Sequence, residues 1–142
     1  MAADDLKRLI DDAMEIEVAE YGDEASEEFY RLLGEKEFRT TRCKACGETA
    51  LPPRMFCPEC FEADVEWIDL PKRGTLYAFT QQEKSLRFSK PNVIGAVELP
   101  EIGRLLTLID APFEDLSIGM EVEVDFFDVA EGQTLHRFRP VG

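Results

Sequence analysis

The sequence predicts a mainly β fold with N-terminal helices, and three observations predict it. Four cysteines, Cys43, Cys46, Cys57 and Cys60, fall in mid-chain as C-x2-C, ten residues, C-x2-C. After Gly74, five stretches of alternating or β-rich character follow one another. Ahead of the cysteines, apolar residues recur at a helical period among many acids. The chain accordingly divides into acidic helices over 1–37, a metal-stapled ribbon with its linker over 38–73, and a five-stranded barrel over 74–142.

Composition narrows the function. The chain has 142 residues and a net charge of −14, with a hydrophobic fraction of 44% that suits a globular protein. No apolar run approaches the roughly 18 residues that a membrane span needs. Residues 1–37 carry 13 acids against 4 bases, residues 38–73 six of each, and residues 74–142 11 acids against 6 bases. Such a balance repels nucleic-acid phosphates and anionic membrane surfaces, so neither is expected as a partner. Residues 1–9 do not read as a signal peptide, and a reducing, cytoplasmic setting is the expectation.

In residues 4–20, Leu6, Leu9, Ile10, Ala13, Ile16 and Ala19 form one stripe of an amphipathic helix, which Tyr21-Gly22-Asp23 breaks. A second helix is expected from Ser26 as N-cap, with Phe29, Leu32 and Leu33 on its apolar stripe and Gly34 as its stop. The stripes serve either packing within the chain or docking of a partner subunit.

Each C-x2-C pair lets two sulfurs point at one ion, and two pairs complete a tetrahedral shell. Zinc is the expected ion; a rubredoxin-like iron site and two disulfides are the alternatives that the spacing admits. A closed four-thiolate shell has no open position for water, so the metal is structural. Gly47 follows the first knuckle, where a tight turn favours a residue without Cβ, whereas Phe61 holds the matching place in the second. Short strands are expected at 38–42 and 65–68, with Trp67 covering a small core, and Leu70-Pro71-Lys72-Arg73-Gly74 reads as a linker. A unit of this size buries too little to fold unaided, and the metal supplies most of its folding free energy.

Strands are expected at 75–82, 93–99, 104–109, 121–129 and 133–139, with Pro100-Glu101-Ile102-Gly103 as a hairpin turn. Val122, Val124 and Phe126 alternate with Glu121, Glu123 and Asp125, as in a half-buried strand. A short helix or 3-10 turn within 111–120 separates the third and fourth strands. Five strands with that insert outline an OB-fold barrel.

The chemistry-bearing residues are few. All four thiols are committed to the metal, and His136, the only histidine, lies in the last strand as a structural or surface residue. None of Ser26, Ser85, Ser89 and Ser117 sits in a nucleophile elbow, and no glycine-rich phosphate loop is present. No catalytic residue is assigned. Between the first two barrel strands, Lys84, Arg87 and Lys90 are spaced around Phe88, a set suited to CoA phosphates and to covering its pantetheine arm or adenine, or else a solvated loop. Lys72 and Arg73 make a second cationic spot.

The combined string runs Glu28-Phe29-Tyr30, Arg42-Cys43-Lys44-Ala45-Cys46-Gly47, Pro52-Pro53-Arg54, Cys57-Pro58-Glu59-Cys60, Gly74-Thr75-Leu76-Tyr77-Ala78-Phe79-Thr80 and Ile118-Gly119-Met120-Glu121-Val122-Glu123-Val124. Over about residues 26–140 it resembles the DUF35 family, in which an N-terminal helical segment precedes a rubredoxin-like zinc ribbon and an OB-fold linked to acyl-CoA. Phe61 is the main departure from the pattern. The resemblance implies a non-catalytic scaffold subunit in a hetero-oligomer with an acyl-CoA enzyme, above all a thiolase, as in the small partner of the thiolase that cleaves benzoylsuccinyl-CoA. It also implies structural zinc, and a CoA ester as ligand of the complex. A hydratase, an aldolase or hydroxymethylglutaryl-CoA synthase are the other partners it implies. The rival from another class, a single-stranded nucleic-acid-binding OB protein, requires basic strands, which the acidic balance of residues 74–142 contradicts. A free-standing acyl-CoA carrier is a third reading.

Overall fold

A computed structural model describes residues 24–83, 91–130 and 132–142 of the chain. The helix expected over 4–20 lies outside these residues. Helix α1 spans Glu24–Gly34 and buries Ala25, Phe29, Leu32 and Leu33, the i, i+4, i+7, i+8 stripe of an amphipathic helix. On its outer face Arg31 pairs with Glu28 at 2.6 Å and Glu35 at 2.8 Å. The helix ends at Gly34 as expected, but its start and its closing turn differ from expectation. The helix starts at Glu24, so Ser26 lies inside its first turn and not at the cap. At the other end Gly34 is still helical, and the left-handed residue is Lys36, with φ 62°. The Lys36 N–H donates to the Leu33 carbonyl and the Glu37 N–H to the Leu32 carbonyl, both at 2.9 Å. That double bond pattern terminates helices whichever residue supplies the turn.

Strands β1 (Arg39–Cys43), β2 (Thr49–Ala50) and β3 (Val65–Asp69) form an antiparallel ribbon in the order β2-β1-β3. Thr40 and Thr41 are both fully buried. Their hydroxyls have backbone partners: Thr40 donates to the Ala50 carbonyl, while Thr41 donates to the Arg54 carbonyl at 2.7 Å and accepts from the Arg54 N–H at 2.8 Å. Two β-branched side chains thus hold the proline-rich connection against β1 and satisfy groups that a valine would strand. The expected linker is a packed segment. Leu70 is 3% exposed and its N–H donates to the Phe38 carbonyl at 2.9 Å, and Arg73 and Gly74 already belong to the next strand.

The remainder closes as a barrel of β4 (Arg73–Gln82), β5 (Asn92–Leu99), β6 (Gly103–Ile109), β7 (Glu121–Ala130) and β8 (Gln133–Pro140) in the order β4-β5-β6-β8-β7. All pairings are antiparallel except β6–β8, and a 3-10 turn at Phe113–Asp115 occupies the expected insert. Closure requires backbone approach at two glycines. A Cβ on Gly74 would stand 2.6 Å from the Glu98 carbonyl oxygen, and one on Gly95 would stand 2.8 Å from Ile109 Cγ1. The acids of β7 are more than a solvated face. Glu123 lies opposite Arg139 and Asp125 opposite Arg137, with ion pairs at 3.4 Å and 2.9 Å. Arg73 reaches Glu121 at 3.4 Å and Glu123 at 3.8 Å, so it ties the β4–β7 seam and is not part of a free cationic spot.

One core joins the helix, the ends of the ribbon and the barrel. Phe29 and Leu33 of α1, Phe38 and Leu70 beside the ribbon, and Leu76, Val93, Val97, Leu99, Ile109, Leu116, Val122 and Phe138 of the barrel region form a single buried cluster, with Trp67 packed against it. Trp67 therefore covers a core that the ribbon shares with the barrel.

Candidate metal centre and barrel-mouth cleft

The four cysteines converge. Their sulfurs all lie within 4.8 Å of one another, with Cys43–Cys60 at 3.6 Å and Cys46–Cys57 at 3.5 Å. A tetrahedral ion with metal–sulfur bonds near 2.3 Å sets its thiolates about 3.8 Å apart, so the donor set fits zinc. Cys43 and Cys57 are buried, while Cys46 and Cys60 face outward.

The two knuckles repeat one construction fourteen positions apart. The Gly47 N–H donates to the Cys43 carbonyl at 2.9 Å, and the Cys43 N–H to Glu48 at 2.8 Å; Phe61 and Cys57 repeat this with Cys57 and Glu62, both at 2.8 Å. The turn residue is left-handed in each, Gly47 at φ 81° and Phe61 at φ 63°. The departure at Phe61 leaves the second turn intact and puts an aromatic side chain in a conformation that glycine adopts freely. In that knuckle the amides of Cys60 and Glu59 point at Cys57 Sγ from 3.5 Å and 3.4 Å. The Cys60 amide above all, opposed by burial and aided by the Glu59 amide, brings the Cys57 thiol down to about 7. The opposite holds for Cys46, where the lowering by the Glu48 amide is outweighed by hydrogen bonding to the neighbouring thiols, which pushes it up to about 12, so the proton is shared unevenly within the cluster until a metal displaces it.

His136 is part-buried against the aromatic rings of Phe29 and Phe38, at centroid distances of 5.9 Å and 6.0 Å, and its Nδ1 meets Thr107 Oγ1 at 2.8 Å. Burial pulls its pKa down to about 4. At neutral pH it is a neutral ring packed against Phe29 and Phe38.

At the mouth of the barrel a cleft of about 610 Å³ opens between Gln81, Asn92, Asp110, Phe113, Phe127 and Arg137. Phe113 packs edge-on to Phe79 at 5.3 Å on this side of the barrel. Arg137, the one cation among the described lining residues, is held by Asp125 at 2.9 Å and Asp110 at 3.6 Å. Partial burial pushes the Asp125 carboxyl up; the Arg137 bond, the Phe126 amide and the charges of Arg137 and Arg139 outweigh it and leave the group below the usual carboxylate range. Both polar atoms of the Asn92 carboxamide are buried without a hydrogen-bond partner. Lys84, Arg87, Phe88 and Lys90 lie outside the described residues, between Glu83 and Pro91. Sequence reasoning missed the threonine clamp and the cleft. The alternation of acids in β7 with Arg137 and Arg139 in β8 signals the ion pairs of that seam, of whose members only Arg137 lines the cleft.

A four-thiolate ribbon joined through one core to a closed OB barrel defines a zinc-ribbon/OB-fold protein. The chain matches the ChsH2 rubredoxin-like zinc ribbon domain over residues 32–66 and the ChsH2 C-terminal OB-fold domain over residues 67–127. It is 34% identical over 109 residues to a DUF35 domain-containing scaffold protein of Methanocaldococcus jannaschii, covering 73% of each chain. The chain belongs to the DUF35 family. It is also 31% identical over 84 residues, 58% of each chain, to the benzoylsuccinyl-CoA thiolase subunit BbsA of Thauera aromatica. Among solved structures it is similar to the Ltp2-ChsH2(DUF35) aldolase, with a TM-score of 0.74, 26% identity, and coverage of 83% of this chain and 95% of that one. No helix among the described residues is long and apolar enough to cross a membrane.

Proposed function

We propose that the chain is a non-catalytic accessory subunit of an acyl-CoA enzyme, assembling with a larger subunit of thiolase type and bordering its CoA ester. The observation that carries the reading is the gathering of all four thiols into one metal shell. Zinc bound there completes a closed shell and supplies folding free energy; it offers no coordination position to a substrate. The nucleophile of a C–C bond-cleaving or bond-forming step therefore comes from the partner. The relatives support the class of assembly: two are thiolase subunits and two are scaffold proteins. The aldolase neighbour supports a second reading, in which the partner is an aldolase.

The CoA contribution is assigned to the barrel mouth. With Arg137 neutralised by two carboxylates, the cleft suits the uncharged, amide-bearing arm of CoA better than its phosphates. The phosphates fall to Lys84, Arg87 and Lys90, with Phe88 against the arm or adenine. Co-expression with a thiolase or aldolase subunit from the same genome tests the assembly: a stoichiometric complex with activity that neither chain has alone is expected. Acyl-CoA cleavage by the isolated chain would overturn the proposal.

A further inference from the structure

Phe61 is the most exposed large apolar side chain among the described residues, at 76%, and it stands in the left-handed region at φ 63°. Any side chain with a Cβ is strained in such a turn, and a bulky aromatic most of all. The twin knuckle shows the unstrained solution: Gly47 makes the same turn at φ 81° with open space where a Cβ would lie. Phe61 thus burdens the zinc turn and returns almost no packing to the chain. Phe56, on the other side of Cys57, is 47% exposed. The knuckle's remaining surface is acidic, since Glu59 and Glu62 are both exposed beside Phe61.

We infer that Phe61 is an anchor for the larger enzyme subunit, inserting into an apolar socket edged by Lys or Arg side chains. The inference rests on the accessory-subunit reading and deepens it by naming the contact. Three features favour this occupant. Strain kept by a large apolar side chain that is left in solvent is of the kind that contacts outside the fold preserve. A lone aromatic with a charged rim is the form that interface anchors take, the rim selecting the partner by charge. A second copy of this chain is a poor occupant, because a two-fold contact brings the same acidic patch of each copy, on chains of charge −14, face to face.

Fold stability and association are set in opposition at this residue, and the test uses that. The full chain is prepared as wild type, Phe61→Gly, Phe61→Ala and Lys36→Gly. Zinc content and thermal unfolding are measured on the chain alone, and affinity on the chain with its co-expressed thiolase- or aldolase-type subunit. Phe61→Gly is expected to raise the Tm by about 2–4 °C and to weaken association tenfold or more. Phe61→Ala, which keeps the strain, is expected to weaken association without raising the Tm. Lys36→Gly relieves a left-handed residue elsewhere and is expected to raise the Tm with association unchanged. Association of Phe61→Gly within twofold of wild type overturns the anchor and leaves the accessory-subunit reading standing. So does a Phe61→Gly chain no more stable than wild type, or a wild-type dimer that Phe61→Gly abolishes. A wild-type chain that binds no such subunit overturns both.

Discussion

Lowering the pH sets the only histidine against its surroundings. His136 sits between Phe29 and Phe38, pairs across the sheet with Phe126, and bonds Thr107 Oγ1 through Nδ1. None of these neighbours offers a charge to an imidazolium. Burial lowers the folded pKa to about 4, whereas the unfolded chain titrates at about 6.5. The unfolded state therefore takes up the proton first, so the stability linked to neutral His136 is present above pH 6.5 and is lost as the pH falls toward 4. Each pH unit in that window removes about 1.4 kcal/mol, and the full passage removes roughly 3 kcal/mol, a sizeable share of a small domain's stability. The assay is urea unfolding of wild type and His136→Gln at half-unit steps from pH 7.5 to 4. The glutamine keeps a polar partner for Thr107 and removes the titration, so the difference between the two chains isolates His136 from acids and thiolates that also titrate. The difference should be flat above pH 6.5 and slope below it. Because there is one histidine, the imidazole NMR signal of an untagged chain reports the folded pKa directly. A midpoint near 6.5, or a difference that stays flat to pH 4, refutes the burial argument.

Removing the metal with a chelator, or replacing Cys57 with Ser, should unfold the ribbon and lower the stability of the whole chain, since Phe38, Trp67 and Leu70 share the barrel's core. Near-UV circular dichroism of Trp67 against zinc content checks this, and an unchanged spectrum with the metal gone contradicts it. Thr41→Val keeps the shape of β1 but strands both the N–H and the carbonyl of Arg54. A loss of about 2–4 kcal/mol in denaturant unfolding is expected, against little change for a substitution at the exposed Arg42.

How much of this could be read beforehand depends on whether the cause is local. The thiolate shell was legible because C-x2-C geometry is set within four residues, and the two knuckles build their turns from their own amides. The barrel strands were legible from alternation, and each lies within two residues of its expected bounds. The residue that closes α1 was not, because the left-handed position falls to Lys36, two residues past the helix end at Gly34, where nothing in the side chain advertises it. Leu70 beside Pro71 read as a linker because proline punctuates chains; its burial depends on Phe38, Leu76 and their neighbours, which the local string does not show. Thr40 and Thr41 read only as part of a short strand, since the carbonyls they bond, Ala50 and Arg54, arrive from later in the chain. The cleft is lined from β4, β5, β6, β7, β8 and the 3-10 turn, and the parallel β6–β8 pairing that brings Leu108 beside Arg137 joins strands far apart in sequence.

That non-local packing also bears on how a small ribbon contributes to an enzyme complex. β1 begins one residue after Phe38, in the shared core, and ends on Cys43, a metal ligand. Along its full length it pairs with β3, whose Trp67 packs on the same core. A five-residue strand paired at every position is short and stiff compared with a proline-glycine linker, so the orientation of the metal knuckles follows that of the barrel. A partner gripping the knuckle at Phe61 would then place the barrel mouth as well, with no second contact required to orient it. A loose linker would have left those two surfaces independent, and the packing of Leu70 removes that freedom.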